Sequence, residues 1–169
     1  MAHLKLFTST ILALVVMGGA ITTAPTPEPS PPETRWSWPL SPKPSVLRTF
    51  DPPDKPWLSG HRGVDLGPTS DAAPVTAPSD GVVTFAGTVV DRPVLTIDQG
   101  NGLKSSFEPV TSELKAGDAV RKGQAIGSLS AGHCGHVACL HWGVRHGEDY
   151  VNPLGFVEDM RPSILLPLL

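Results

Sequence analysis

The sequence has few aromatic residues, two cysteines, no surplus of basic charge and no long apolar run beyond its first twenty positions. Aromatic residues make up 6% of the chain while prolines number 19 and glycines 17, a balance that gives many turns and little helix. A net charge of −3 over 169 residues provides no basic field for nucleic acid and excludes that class of partner. Outside the N-terminus no segment approaches the roughly 20 apolar residues that a membrane-spanning helix needs. A convincing 3.6-residue period is missing as well, so an amphipathic helical bundle is not expected.

What the chain does have begins with "MAHLKLFTSTILALVVMGGA": one lysine, an apolar run from Leu6 to Met17, then small residues, the pattern of a secretory signal peptide. A cut after Ala20 places Gly18 and Ala20 at the small-residue positions, and an uncleaved anchor is the competing reading. The protein is therefore expected to be secreted or held at the cell envelope. Residues 21–35 are rich in Pro, Ser and Thr and read as an extended tether. Residues 36–158 suit one domain with a single core, and residues 159–169 form a tail whose "ILLPLL" reads as a terminal strand or a fraying end.

From Val75 onward, short β-branched runs alternate with turn signals, which argues for an antiparallel β domain. Strands are expected at Gly81 to Phe85, Val94 to Asp98, Leu103 to Val110, Ala125 to Leu129 and Leu140 to Arg145, with one helical turn in "NPLGFVEDM".

Two stretches carry chemistry. "GHRGVDLG" sets His61 and Asp65 four apart among glycines, where an imidazole and a carboxylate can be directed to one point, and zinc accepts both ligand types. A His and an Asp at that spacing are, taken alone, most often surface residues. "GHCGHVACLHWG" holds His133, Cys134, His136, Cys139 and His141, which leaves open one metal site, a disulfide hairpin beside a ligand, or a polar loop.

Taken together, "WPL", "HRGVDLG", "VTAPSDGVVTFAG", "LTIDQGNGLKSSFEPV", "LKAGDAVRKGQAIGSL", "CLHWGVR" and "NPL" occur in an order and spacing that resembles the lysostaphin or LytM-type zinc endopeptidases, which cut peptide cross-bridges in bacterial peptidoglycan. The match runs from about Trp36 to Leu154 and looks closest to the secreted actinobacterial branch. The resemblance implies an all-β domain of the duplicated barrel-sandwich type with little helix, peptidoglycan peptides as substrate and one zinc ion. The ion would be held by His61, Asp65 and His141, with a fourth position left to water. The two cysteines, in an oxidising compartment, are expected to pair as Cys134–Cys139. A structural zinc on His133, Cys134, His136 and Cys139 has the ligand types but a cramped spacing.

The sequence departs from the family where two non-ligand histidines are expected: Pro109 and Cys139 stand in their places. Both substitutions remove an imidazole, and efficient hydrolysis is therefore not expected. Residues that could restore an acid or base are His133 and His136, expected on the loop surface near the cleft, and Glu108, expected to point away from the face of Pro109. The alternative is a non-catalytic domain that binds wall peptides or regulates a cell-wall amidase, as a monomer. A third reading, a biotinyl or lipoyl-type carrier, rests on the half-barrel-like glycine turns but has only Lys104, in a strand-like run, to offer as the modified lysine.

Overall fold

The computed structural model describes residues 36–135 and 138–158. The expected signal peptide, tether and C-terminal tail lie outside the described residues, as does His136. Among the described residues no helix is long and apolar enough to cross a membrane.

In chain order the strands are β1 (Val46–Arg48), β2 (Val64–Leu66), β3 (Pro74–Thr76), β4 (Gly81–Val89), β5 (Arg92–Gly100), β6 (Leu103–Glu108), β7 (Val110–Thr111), β8 (Ala119–Val120), β9 (Ala125–Leu129), β10 (Leu140–His146) and β11 (Asp149–Val151). A 3-10 helix, Pro153–Phe156, follows and is capped by the Asn152 side chain, which accepts from the Leu154 amide. The large sheet runs β1-β2-β10-β6-β5-β4-β8, with β11 also on β10, and a smaller sheet runs β3-β9-β7. Every pairing is antiparallel, so the all-β reading holds.

The expected strand Leu103 to Val110 is split in two. Proline has no amide hydrogen to donate to a ladder, and at Pro109 the chain leaves the large sheet: its carbonyl accepts from the Ser130 amide at 3.0 Å, beside the β7–β9 pair. The β5–β6 reversal passes through Gly100, Asn101 and Gly102, all at positive φ, where glycine and asparagine are the tolerated residues.

Alternation along the central strands separates core from site. On β10, Leu140, Trp142 and Val144 are fully buried, as are Val64 and Leu66 on β2 and Phe107 on β6. Each such side chain contributes about 1.5–3 kcal/mol by leaving water. The residues between them must face the opposite side of the sheet, because successive side chains of a strand alternate. Asp65 and His141 are two of these. They are direct register partners across β2 and β10, and His141 is in turn the partner of Glu108 across β10 and β6. A row of one carboxylate, one imidazole and a second carboxylate thus crosses three neighbouring strands.

Candidate metal centre

His61 joins this row from the loop before β2. Its backbone is pinned to Asp51 by two hydrogen bonds, 2.9 Å from the Asp51 amide and 2.6 Å to the Asp51 carbonyl. Gly63 lets β10 come close: a methyl group there would stand 2.5 Å from the Trp142 carbonyl oxygen and 2.8 Å from His141 Nε2.

The result is a tight cluster. Asp65 Oδ1 lies 3.0 Å from His61 Nε2 and 2.8 Å from His141 Nδ1, and the two nitrogens are 3.1 Å apart. His61 and Asp65 are each about 5% exposed, so solvent does little to moderate their interaction. Burial acts to raise the Asp65 pKa, but hydrogen bonds from His133 and His141 and the charges of His61 and His141 outweigh it and hold the carboxyl well below the usual carboxylate range.

His61 Nδ1 donates to the Thr49 carbonyl at 2.7 Å, which leaves Nε2 facing Asp65 with a lone pair in the neutral tautomer. A lone pair and a carboxylate 3.0 Å apart need a positive charge between them. Zinc bonds of about 2.0–2.1 Å in tetrahedral array set donor atoms about 3.3 Å apart, close to the separations of 2.8 to 3.1 Å found here. By donor type, spacing and support, these residues fit a zinc ion.

His133 was expected on the loop surface and is instead part of the cluster. Its Nε2 is 3.2 Å from Asp65 Oδ1, its Nδ1 is 3.3 Å from Glu108 Oε1, and its side chain is 20% exposed. The hydrogen bond to Asp65 raises the His133 pKa; burial opposes this, and the negative charges of Asp65 and Glu108 add to the rise. Glu108, expected to point away from the site on the premise that Pro109 faces it, is instead on the site's side of the sheet: its carboxylate reaches His133 and its register partner is His141, because at Pro109 the chain has already left for the smaller sheet. Arg92 Nε forms an ion pair with Glu108 at 2.9 Å. No spacing argument singled out Arg92, because its place depends on the β5–β6 register rather than on local sequence.

Cys134 and Cys139 form a disulfide. Cys139, buried at 1% exposure, therefore offers neither a thiolate nor a proton, and the structural-zinc set built on both cysteines is overturned. Lys104 lies within β6, opposite Asp98 and Arg145, rather than at a hairpin tip, against the carrier reading.

Comparison with known proteins agrees with this layout. The family model described as peptidase family M23 matches residues 59–153. An uncharacterized protein of Mycobacterium tuberculosis is 42% identical over 142 residues, which cover 80% of this chain and 56% of the relative. An uncharacterized protein of Mycobacterium bovis matches to the same extent. The chain thus spans little more than half the length of these curated relatives. Among solved structures, Helicobacter pylori Csd3 superposes with a TM-score of 0.60 at 25% identity, covering 77% of this chain and 36% of that one. The catalytic domain of the antimicrobial peptidase lysostaphin from Staphylococcus simulans gives 0.57 at 21%, covering 67% and 91%. The SpoIIQ–SpoIIIAH pore-forming complex gives 0.62 at 20%, covering 73% and 91%. The last two likenesses are likenesses of fold.

Proposed function

Because the chain belongs to peptidase family M23, we propose that it is an exported zinc-binding domain that engages, and slowly hydrolyses, peptides of bacterial peptidoglycan. The observation that carries this reading is the convergence of His61 Nε2, Asp65 Oδ1 and His141 Nδ1 within 3.1 Å of one another. Zinc bound there supplies a Lewis acid and a water of lowered pKa, the means by which such sites attack a peptide carbonyl.

The chain's own residues set the limits of that chemistry. Thr49 orients His61, and the β2–β10 register holds Asp65 against His141. Pro109 and Cys139 carry no imidazole where the family resemblance expects two, so stabilisation of the oxyanion and protonation of the leaving amine fall to whatever else reaches the site. A groove lined by Pro52, Pro53, Arg62, Glu148 and Tyr150 borders β11 and the loop before β2 and offers a place for an extended peptide. Export is supported by the N-terminal apolar run and by a disulfide that suits an oxidising compartment.

Pro109 and the oxidised Cys139 also favour a second reading, a domain that binds wall peptides or an envelope partner without turnover. Zinc analysis of the purified protein, together with peptide release from isolated cell walls, separates the two. The proposal expects stoichiometric zinc that is lost in His61→Ala, and slow release that is lost with it. Wall binding with no release at any zinc loading selects the second reading, and a chain that takes up no zinc contradicts the metal site itself.

A further inference from the structure

We propose that His133 is a fourth ligand of the same metal, so that its imidazole occupies the position the other three residues leave to water. The inference rests on the zinc reading above. It starts from Asp65 Oδ1, which is approached by three imidazole nitrogens at nearly equal distance: His141 Nδ1 at 2.8 Å, His61 Nε2 at 3.0 Å and His133 Nε2 at 3.2 Å. Donor atoms of all four residues lie within 4.8 Å of one another.

The rings repeat the pattern. The His133 and His141 centroids are 4.8 Å apart, and those of His61 and His141 are 4.9 Å apart, so His133 lies as close to His141 as His61 does, at a different tilt. A general base works through the proton of a water, at about 2.6–3.2 Å from that water's oxygen, and so stands one hydrogen bond further from a metal than the ligands do. His133 shows no such setback.

The support behind the two rings matches too. His61 gives its Nδ1 proton to the Thr49 carbonyl, and His133 Nδ1 lies against the Glu108 carboxylate, itself paired with Arg92. An imidazole whose outer nitrogen donates to an oxygen presents the inner lone pair to a metal, and a carboxylate in that role raises its basicity. The covalent frame completes the arrangement: Cys134 follows His133 directly, and its disulfide partner Cys139 stands two residues before His141. The bridge thus ties the His133 loop to the strand that carries another ligand.

Three imidazoles and a carboxylate make a closed tetrahedral shell, the arrangement of a structural zinc. Water or a scissile carbonyl reaches such an ion only when His133 gives way, and the domain is latent until then.

The test is chelator competition for zinc with the full chain, His133→Ala, Glu108→Gln and His61→Ala, each checked for folding by circular dichroism. Loss of a supporting residue costs about 10–100-fold in metal affinity, so Glu108→Gln should lose about 10-fold and His133→Ala at least about 100-fold. Cobalt(II) absorption provides a readout independent of turnover: added imidazole should leave the parent spectrum unchanged and restore it in His133→Ala. Release of wall peptides by zinc-saturated His133→Ala should match or exceed the parent. A folded His133→Ala that binds zinc as tightly as the parent overturns the inference, and if His61→Ala still loses zinc in that case, the zinc reading survives alone. Should neither variant alter zinc uptake, both fall.

Discussion

At Gly63 the backbone of β10 and the His141 ring leave no room for a methyl group, which would lie 2.5 Å from the Trp142 carbonyl and 2.8 Å from the ring. Gly63→Ala must therefore push His141 out of line or part β2 from β10. Overpacking of this kind costs about 1–3 kcal/mol, and the variant should show a lowered urea midpoint together with weakened zinc binding. Gly155→Ala is the control, since nothing stands within 4 Å of its added carbon, and it should leave zinc affinity at the parent value. His61, Asp65 and His141 were legible at this scale because their residue types and order matched a known series of motifs. His133 was not. Its place follows from the path of a short loop and the bridge beside it, and a histidine's letter carries no record of the direction in which its loop folds.

The elements differ in how openly they announce themselves. β4, β5, β6, β9 and β10 span five to nine residues and show the β-branched runs and turn signals that mark strands. The two- and three-residue strands β1, β3, β7, β8 and β11 are too short for alternation to register; β3, β7, β8 and β11 exist because a longer neighbour offers its edge, and β1 pairs with the equally short β2. β2, at three residues, was seen only through its chemistry. The observed β4 runs to Val89, beyond the expected end at Phe85, because β5 pairs with it as far as Arg92. The disulfide loop is the element whose removal tests most. With its cysteines five positions apart in sequence, chain entropy assigns the bridge about 2 kcal/mol. Replacing both cysteines by serine should lower stability by about that amount, read from a shift in thermal midpoint. Zinc affinity should fall as well, because His133 loses the tether that holds it against Asp65.

Over the whole molecule, the two ends of the described chain meet. Trp36 stacks on Phe156 with ring centroids 4.4 Å apart, and its amide donates to the Phe156 carbonyl at 3.3 Å. Trp36 also lies 6.2 Å from Trp142, the large buried side chain of β10. Truncating a buried tryptophan costs about 3–5 kcal/mol, so Trp36→Ala should reduce the free energy of unfolding by that much in urea titration, with the slope unchanged. The surface ion pair Lys43–Glu158 bridges the same two ends and adds little by comparison, its lysine side chain being 62% exposed. This contact of first and last elements was not legible beforehand, since nothing in a tryptophan at one end and a phenylalanine at the other states that they touch.

The clasp between Trp36 and Phe156 also decides where mechanical load goes. Tension applied at residues 36 and 158 enters at two neighbouring points and is borne first by one stacked pair, one backbone hydrogen bond and one ion pair. The β2-β10-β6 row is held separately, by its own ladder of strand pairings. A domain built this way yields at its clasp while its histidines keep their places, and in a single-molecule pulling experiment the first, small extension should occur with the metal still bound.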